Sequence, residues 1–111
     1  MSVVEECEKQ YPETTQEFKR IMQEQYELFC KKQLDYGPGN IAVGTNLQTQ
    51  QEKDVALMGV WFRMSDKIQR LKNMVVLGST NVHNESIEDS YKDLSNYSVI
   101  CQIVKNGKWG G

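Results

Sequence analysis

Hydrophobic and polar positions recur along this chain at helical spacing, and no segment carries a convincing period-two strand pattern. A short helix is expected over residues 2–10, interrupted by Pro12. Thr14 or Thr15 is expected to cap a second helix running to about residue 34. Its apolar face would carry Phe18, Met22, Tyr26 and Phe29, joined by Ile21 and Leu28. Gly37-Pro38-Gly39 cannot continue a helix. A polar connection follows over residues 35–51, with Ile41, Val43 and Leu47 as anchors, and a loop this long suits a functional or mobile element. The next helix spans about 51 to 76, striped by Leu57, Trp61, Met64, Ile68, Leu71 and Val75 at steps of four and three. Gly78-Ser79-Thr80 ends it. Asn84, Glu85 or Ser86 starts the last helix, whose buried face would be Ile87, Tyr91, Leu94, Tyr97, Cys101 and Val104, stopping at Asn106-Gly107. Three long helices with one apolar stripe each predict an all-α fold, a small helical bundle. The Tyr, Trp and Met residues on those stripes read as core rather than as ligand contacts.

Length changes this picture in one respect. A chain of 111 residues makes one domain, residues 1–111, with a modest core, so the bundle is expected to be completed by oligomerisation. The formal net charge of −2 gives no basic footprint, so direct nucleic-acid binding is not expected. A small anion is compatible with that balance if local Lys and Arg, or a metal, offset its charge. Cys7, Cys30 and Cys101 are odd in number and lack a CxxC pair, which argues against a disulfide framework or zinc site. They read as reduced thiols in a cytoplasmic protein. Val3-Val4 is followed at once by Glu5-Glu6, so no signal peptide is expected, and no apolar run reaches the length of a membrane span.

Candidate chemistry lies on the polar faces. Glu85, Asp89, Asp93 and Asn96 fall within a sector of about 80° on the last helix. They form either a magnesium site of oxygen ligands or a solvated acidic face near a helix N-terminus. Glu24 and Glu27 make an ExxE pair with Lys31 one turn on, a pattern that also serves ordinary surface ion pairing. Arg63, Asp66, Lys67 and Arg70 share the face opposite Trp61 and Ile68. Three cations beside one acid suit phosphate binding, Asp66 orienting its neighbours, or else an exposed ion-paired face. Gly59 lies on that same polar face. His83, the only histidine, reads as a loop residue, and no Ser-His-Asp, Cys-His, P-loop or GxGxxG arrangement is present.

Three blocks occur in order: Lys32-Gln33-Leu34-Asp35-Tyr36-Gly37, Arg63-Met64-Ser65-Asp66-Lys67-Ile68-Gln69-Arg70-Leu71, and Glu85 through Tyr97 (ESIEDSYKDLSNY). Together they resemble the phage-encoded nucleotide modification associated domain, type 1, which looks related to the all-alpha NTP pyrophosphatases of the MazG-like superfamily. The resemblance runs from about Phe18 to Val104. It implies an all-α, MazG-like fold, commonly oligomeric. It also implies a magnesium ion held by Glu24 and Glu27 from one helix and by Glu85 and Asp89 from another, with Asp93 and Asn96 beside them. Glu85 and Asp89 are four apart where the MazG-like element spaces its acids by three, and Glu24-x-x-Glu27 lacks the extra glutamate usual before it.

The leading expectation is therefore a phage or prophage nucleotide-handling homo-oligomer in the host cytoplasm, a magnesium-dependent nucleotide pyrophosphohydrolase. Glu24, Glu27, Glu85 and Asp89 would hold the metal, Arg63, Lys67 and Arg70 would stabilise phosphoryl charge, and Tyr36 would stack on the base. The altered acid spacing points to the alternative, a non-catalytic protein that sequesters a linear or cyclic nucleotide signal of host immunity. A third reading is a scaffold with merely solvated polar faces.

Overall fold

The computed structural model describes residues 1–78 and 86–111. The described residues are helical and hold no strand, a small all-α fold. The helices are α1 (Val3–Gln10), α2 (Pro12–Tyr36), α3 (Gly39–Ala42), α4 (Gln50–Leu71) and α5 (Ile87–Lys105). A π-helical turn, Lys72–Val76, continues α4. No described helix is long and apolar enough to cross a membrane.

Three helices begin with a reciprocal capping box, in which a hydroxyl takes the N3 amide while the N3 carboxylate takes the cap amide. The pairs are Ser2 with Glu5, Thr49 with Glu52, and Ser86 with Asp89. Ser86 is one of the expected starts of the last helix; the Ser79-Thr80 stop, His83, and the starts at Asn84 or Glu85 lie outside the described residues. Neither Thr14 nor Thr15 caps α2. Tyr11 holds that position because Pro12, lacking an N–H and preset in φ, occupies the first helical turn. The Thr15 hydroxyl instead donates back to the Tyr11 carbonyl at 2.9 Å. The expected long connection is shorter than its sequence suggests: Gly39–Ala42 forms α3, which anchors Ile41 in the core.

The core joins Ile41 of α3, Ala56 and Val60 of α4, and Ile100 and Val104 of α5. Phe29, Leu47, Leu57, Met64, Tyr97, Cys101 and Trp109 pack around it. This corrects the expected helix faces. On α4 the inward line runs from buried Ala56 and Val60 to half-buried Arg63, Lys67 and Arg70, while Trp61 and Ile68 are 55% and 56% exposed. Small side chains at 56 and 60 let α5 approach closely. Antiparallel to them, α5 sets Val104 and Ile100 against the apolar half, and Asp93 and Ser90 against the cationic half. On α2 the inward line is Gln25, Phe29 and Lys32, and Phe18 and Tyr26 are exposed. Gln25 is buried yet satisfied, its amide donating to Ser95 Oγ at 2.7 Å. Burial pushes the Cys101 thiol pKa up, with a hydrogen bond to Trp61 opposing, so that thiol stays a small protonated core group.

Candidate functional site

The cationic half of the α4–α5 seam opens into a cleft of about 320 Å³ between the end of α2, α3, α4, α5 and the C-terminal residues. Two features of the sequence shape its rim. Gly37, at φ 67°, ends α2 in a conformation that favours glycine, which leaves Tyr36 at the mouth. At the other end Gly107, at φ 71°, turns the chain back after α5. The Gly107 and Lys108 amides donate to the Val104 and Ile103 carbonyls, the two bonds of a Schellman motif. The reversal carries Trp109 over Pro38, whose carbonyl accepts the indole N–H at 3.0 Å, and sets its ring in a T-shaped contact with Phe29, centroids 6.1 Å apart.

Asp93 sits at the polar floor with a side chain 12% exposed. Its two oxygens accept from Lys32 at 3.1 Å and from Lys67 at 3.0 Å. Arg63 donates to the Asn40 carbonyl at 2.8 Å, engaging one of five donors of its guanidinium. Asn96 donates its amide to the Gln25 carbonyl at 3.1 Å. A main-chain carbonyl accepts only, so Nδ2 faces Gln25, which fixes the side chain of Asn96 beside the cleft. Among the cleft-lining residues, two cations, Lys32 and Arg63, stand against the single carboxylate of Asp93.

The structure thus brings Tyr36, Arg63, Asp93 and Asn96 to one cleft, with Lys67 joined to it through Asp93. Arg70 lies further along the seam, donating to Ser90 Oγ at 2.8 Å and the Ser86 carbonyl at 3.1 Å. Asp66 is exposed and does not line the cleft. Lys32 and Trp109 were not among the expected site residues. Lys32 stands one helical turn before Tyr36, on the same face, which is a signal the sequence carries. Trp109 follows a helix stop, where no periodicity marks it.

The expected metal ligands are placed differently. Glu24 is outside the cleft, its carboxylate accepting from Lys92 at 2.6 Å and from Arg20 at 3.0 Å. The Lys92 ammonium first, and then Arg20, hold its carboxyl below the usual glutamate range. Glu27 is exposed and accepts from Gln23 at 3.4 Å. Asp89 closes the α5 capping box. Glu85 lies outside the described residues. Magnesium requires several oxygens turned to one point. Among the described residues no three His, Cys, Asp or Glu side chains meet that way, and the carboxylates of Glu24 and Asp93 already hold two cations each. In this arrangement the described acids do not fit a magnesium ion by themselves.

No curated protein and no solved structure matches the chain. The family model for nucleotide modification associated domain 1 matches residues 32–104. That range holds Lys32, Tyr36, Arg63, Lys67, Asp93 and Asn96, and leaves Glu24, Glu27 and Trp109 outside. Matched over most of its length, from the last turn of α2 to the end of the core on α5, the chain belongs to the nucleotide modification associated domain 1 family.

Proposed function

We propose that the cleft binds a nucleotide and holds it without cleaving it. The observation that carries this reading is the convergence of Lys32, Arg63 and Tyr36 on a single cleft in a nucleotide-associated family. Arg63 would take phosphate oxygens in a planar fork and Lys32 would supply a point charge. Tyr36 at the mouth would stack on the base. Lys67, held by Asp93, would add to the field at the phosphate end. At about 320 Å³ the cleft is at the small end of the ~300–1,000 Å³ range for ligand sites, so part of the nucleotide would stay outside it. A phage-encoded chain of this kind in the host cytoplasm would withhold a nucleotide signal by mass action.

Calorimetry of the purified chain with ATP, GTP, CTP, UTP and cyclic dinucleotides, each with magnesium and with EDTA, tests this. Binding that is equal in EDTA, with the intact nucleotide recovered on denaturation, is the expected result. Release of monophosphate and pyrophosphate only with magnesium would overturn it in favour of the MazG-like hydrolase served by Glu24, Glu27, Glu85 and Asp89. Binding of none of these nucleotides would leave the scaffold reading.

The same proposal includes a homo-oligomer. The radius of gyration is 16.8 Å, against about 13 Å for a compact domain of roughly this length. Phe18, Tyr26, Trp61 and Phe62 are all more than half exposed. A second copy covering these faces would enlarge a core that one chain leaves small.

A further inference from the structure

We propose that Trp109 is a ligand-binding residue of the cleft, a surface against which the ligand's aromatic ring lies together with Tyr36. This rests on the nucleotide reading above and adds a recognition element from outside the family-matched residues.

Three features of the C-terminal turn support it. First, the turn is held in place at several points. The Gly107 and Lys108 amides are tied to α5, the Gly111 amide donates to the Lys108 carbonyl at 3.2 Å, and Gly110 at φ 83° lies against Pro38. A Cβ added at Gly110 would be strained at that φ and would crowd Pro38 Cβ at 3.3 Å, so both favour glycine there. Second, the indole N–H is engaged by the Pro38 carbonyl, and the ring is held in a T-shaped contact with Phe29. Trp109 therefore offers the cleft ring surface without a donor that would read particular ring atoms. Third, the ring lines the same cleft as the polar groups of Lys32, Arg63, Asp93 and Asn96. A ligand that carries both a flat ring and phosphate matches that combination.

The test separates ring from phosphate. The chain holds two tryptophans, so Trp61→Phe leaves Trp109 as the sole indole. On that background ATP, GTP, CTP and UTP are titrated by tryptophan fluorescence, with inorganic tripolyphosphate as the ring-free probe. Calorimetry is repeated on Trp109→Leu and Trp109→Phe. A nucleotide should change Trp109 emission and tripolyphosphate should not. Trp109→Leu should weaken the nucleotide by about tenfold or more and leave tripolyphosphate within about twofold. Trp109→Phe, which keeps a ring, should retain most of the affinity. Melting curves confirm that each variant is folded, and the Phe variant carries the comparison with the fluorescence if the Leu variant does not fold. Nucleotides that bind Trp109→Leu as tightly as the parent, or that leave Trp109 emission unchanged on binding, overturn this inference while the nucleotide reading stands. A parent chain that binds no nucleotide overturns both.

Discussion

Asp93 of α5 and Lys67 of α4 meet at 3.0 Å across the helix seam, four residues beyond the point where α4's inward line turns from Val60 to Arg63. The two helices are joined by apolar packing at one end and by charge at the other. Asp93→Asn keeps the shape and removes the charge that both Lys32 and Lys67 face. We expect a loss of about 1–3 kcal/mol, below the figure for fully buried pairs because Lys32 is half exposed. Urea unfolding measures it. Adding tripolyphosphate should recover part of that loss, since the anion would replace the missing carboxylate beside the lysines.

The apolar end predicts a contrast between two isoleucines. Ile100 is 7% exposed in the core cluster, and Ile68 is 56% exposed on the stripe the periodicity marks as buried. Ile100→Ala should cost about 2–4 kcal/mol from lost burial and an incompletely collapsed cavity. Ile68→Ala should leave the stability of the single chain nearly unchanged. Denaturant midpoints measured at low protein concentration give the comparison.

Acid sensitivity should involve the Glu24 cluster. Its carboxyl is held below the ordinary value of 4.5 by Lys92 and then Arg20, so the unfolded chain takes up this proton at a higher pH than the folded one. The associated stability is present above the ordinary value and is lost as pH falls through the lowered one. Glu24→Gln should melt slightly lower near neutral pH and lose less on acidification below about 4.5. Parallel melting curves with and without high salt would show it, and salt should shrink the difference because the cluster is exposed.

Exposed aromatic residues predict the assembly state. Light scattering on a sizing column should give a mass above 12.8 kDa for the parent chain. Phe18→Glu combined with Phe62→Glu should return it toward one chain while circular dichroism stays helical, because neither side chain belongs to the core. A parent that already runs as one chain would remove the oligomer from the proposal.

Local chemistry was readable at the helix ends. Ser86 before Asp89 specifies its helix start because two orphan amides are satisfied by residues three apart. Gly107 specifies the reversal after α5 because few other residues enter that φ region readily. The all-α class, and Arg63, Asp93 and Asn96 as cleft residues, were also within reach of spacing and side-chain chemistry. Thr14 and Thr15 misled as caps because Pro12 starts the helix earlier.

The sequence by itself determined that this chain makes helices, roughly where they begin and end, and which residues carry charge for an anionic ligand. Each of these depends on groups within a few residues of one another. Only the tertiary structure decided which face of α4 turns inward. Leu57-Trp61-Met64-Ile68 is the more apolar line, but Ala56-Val60-Arg63-Lys67 is the one that a second helix can both approach and neutralise. The small residues allow close contact, and Asp93 and Ser90 supply partners for the cations. That choice depends on complementarity between segments some thirty residues apart, which no single helix's periodicity contains. The same holds for Trp109, a residue of a short turn until α5 returns it to Pro38 and Phe29 and makes it a wall of the cleft.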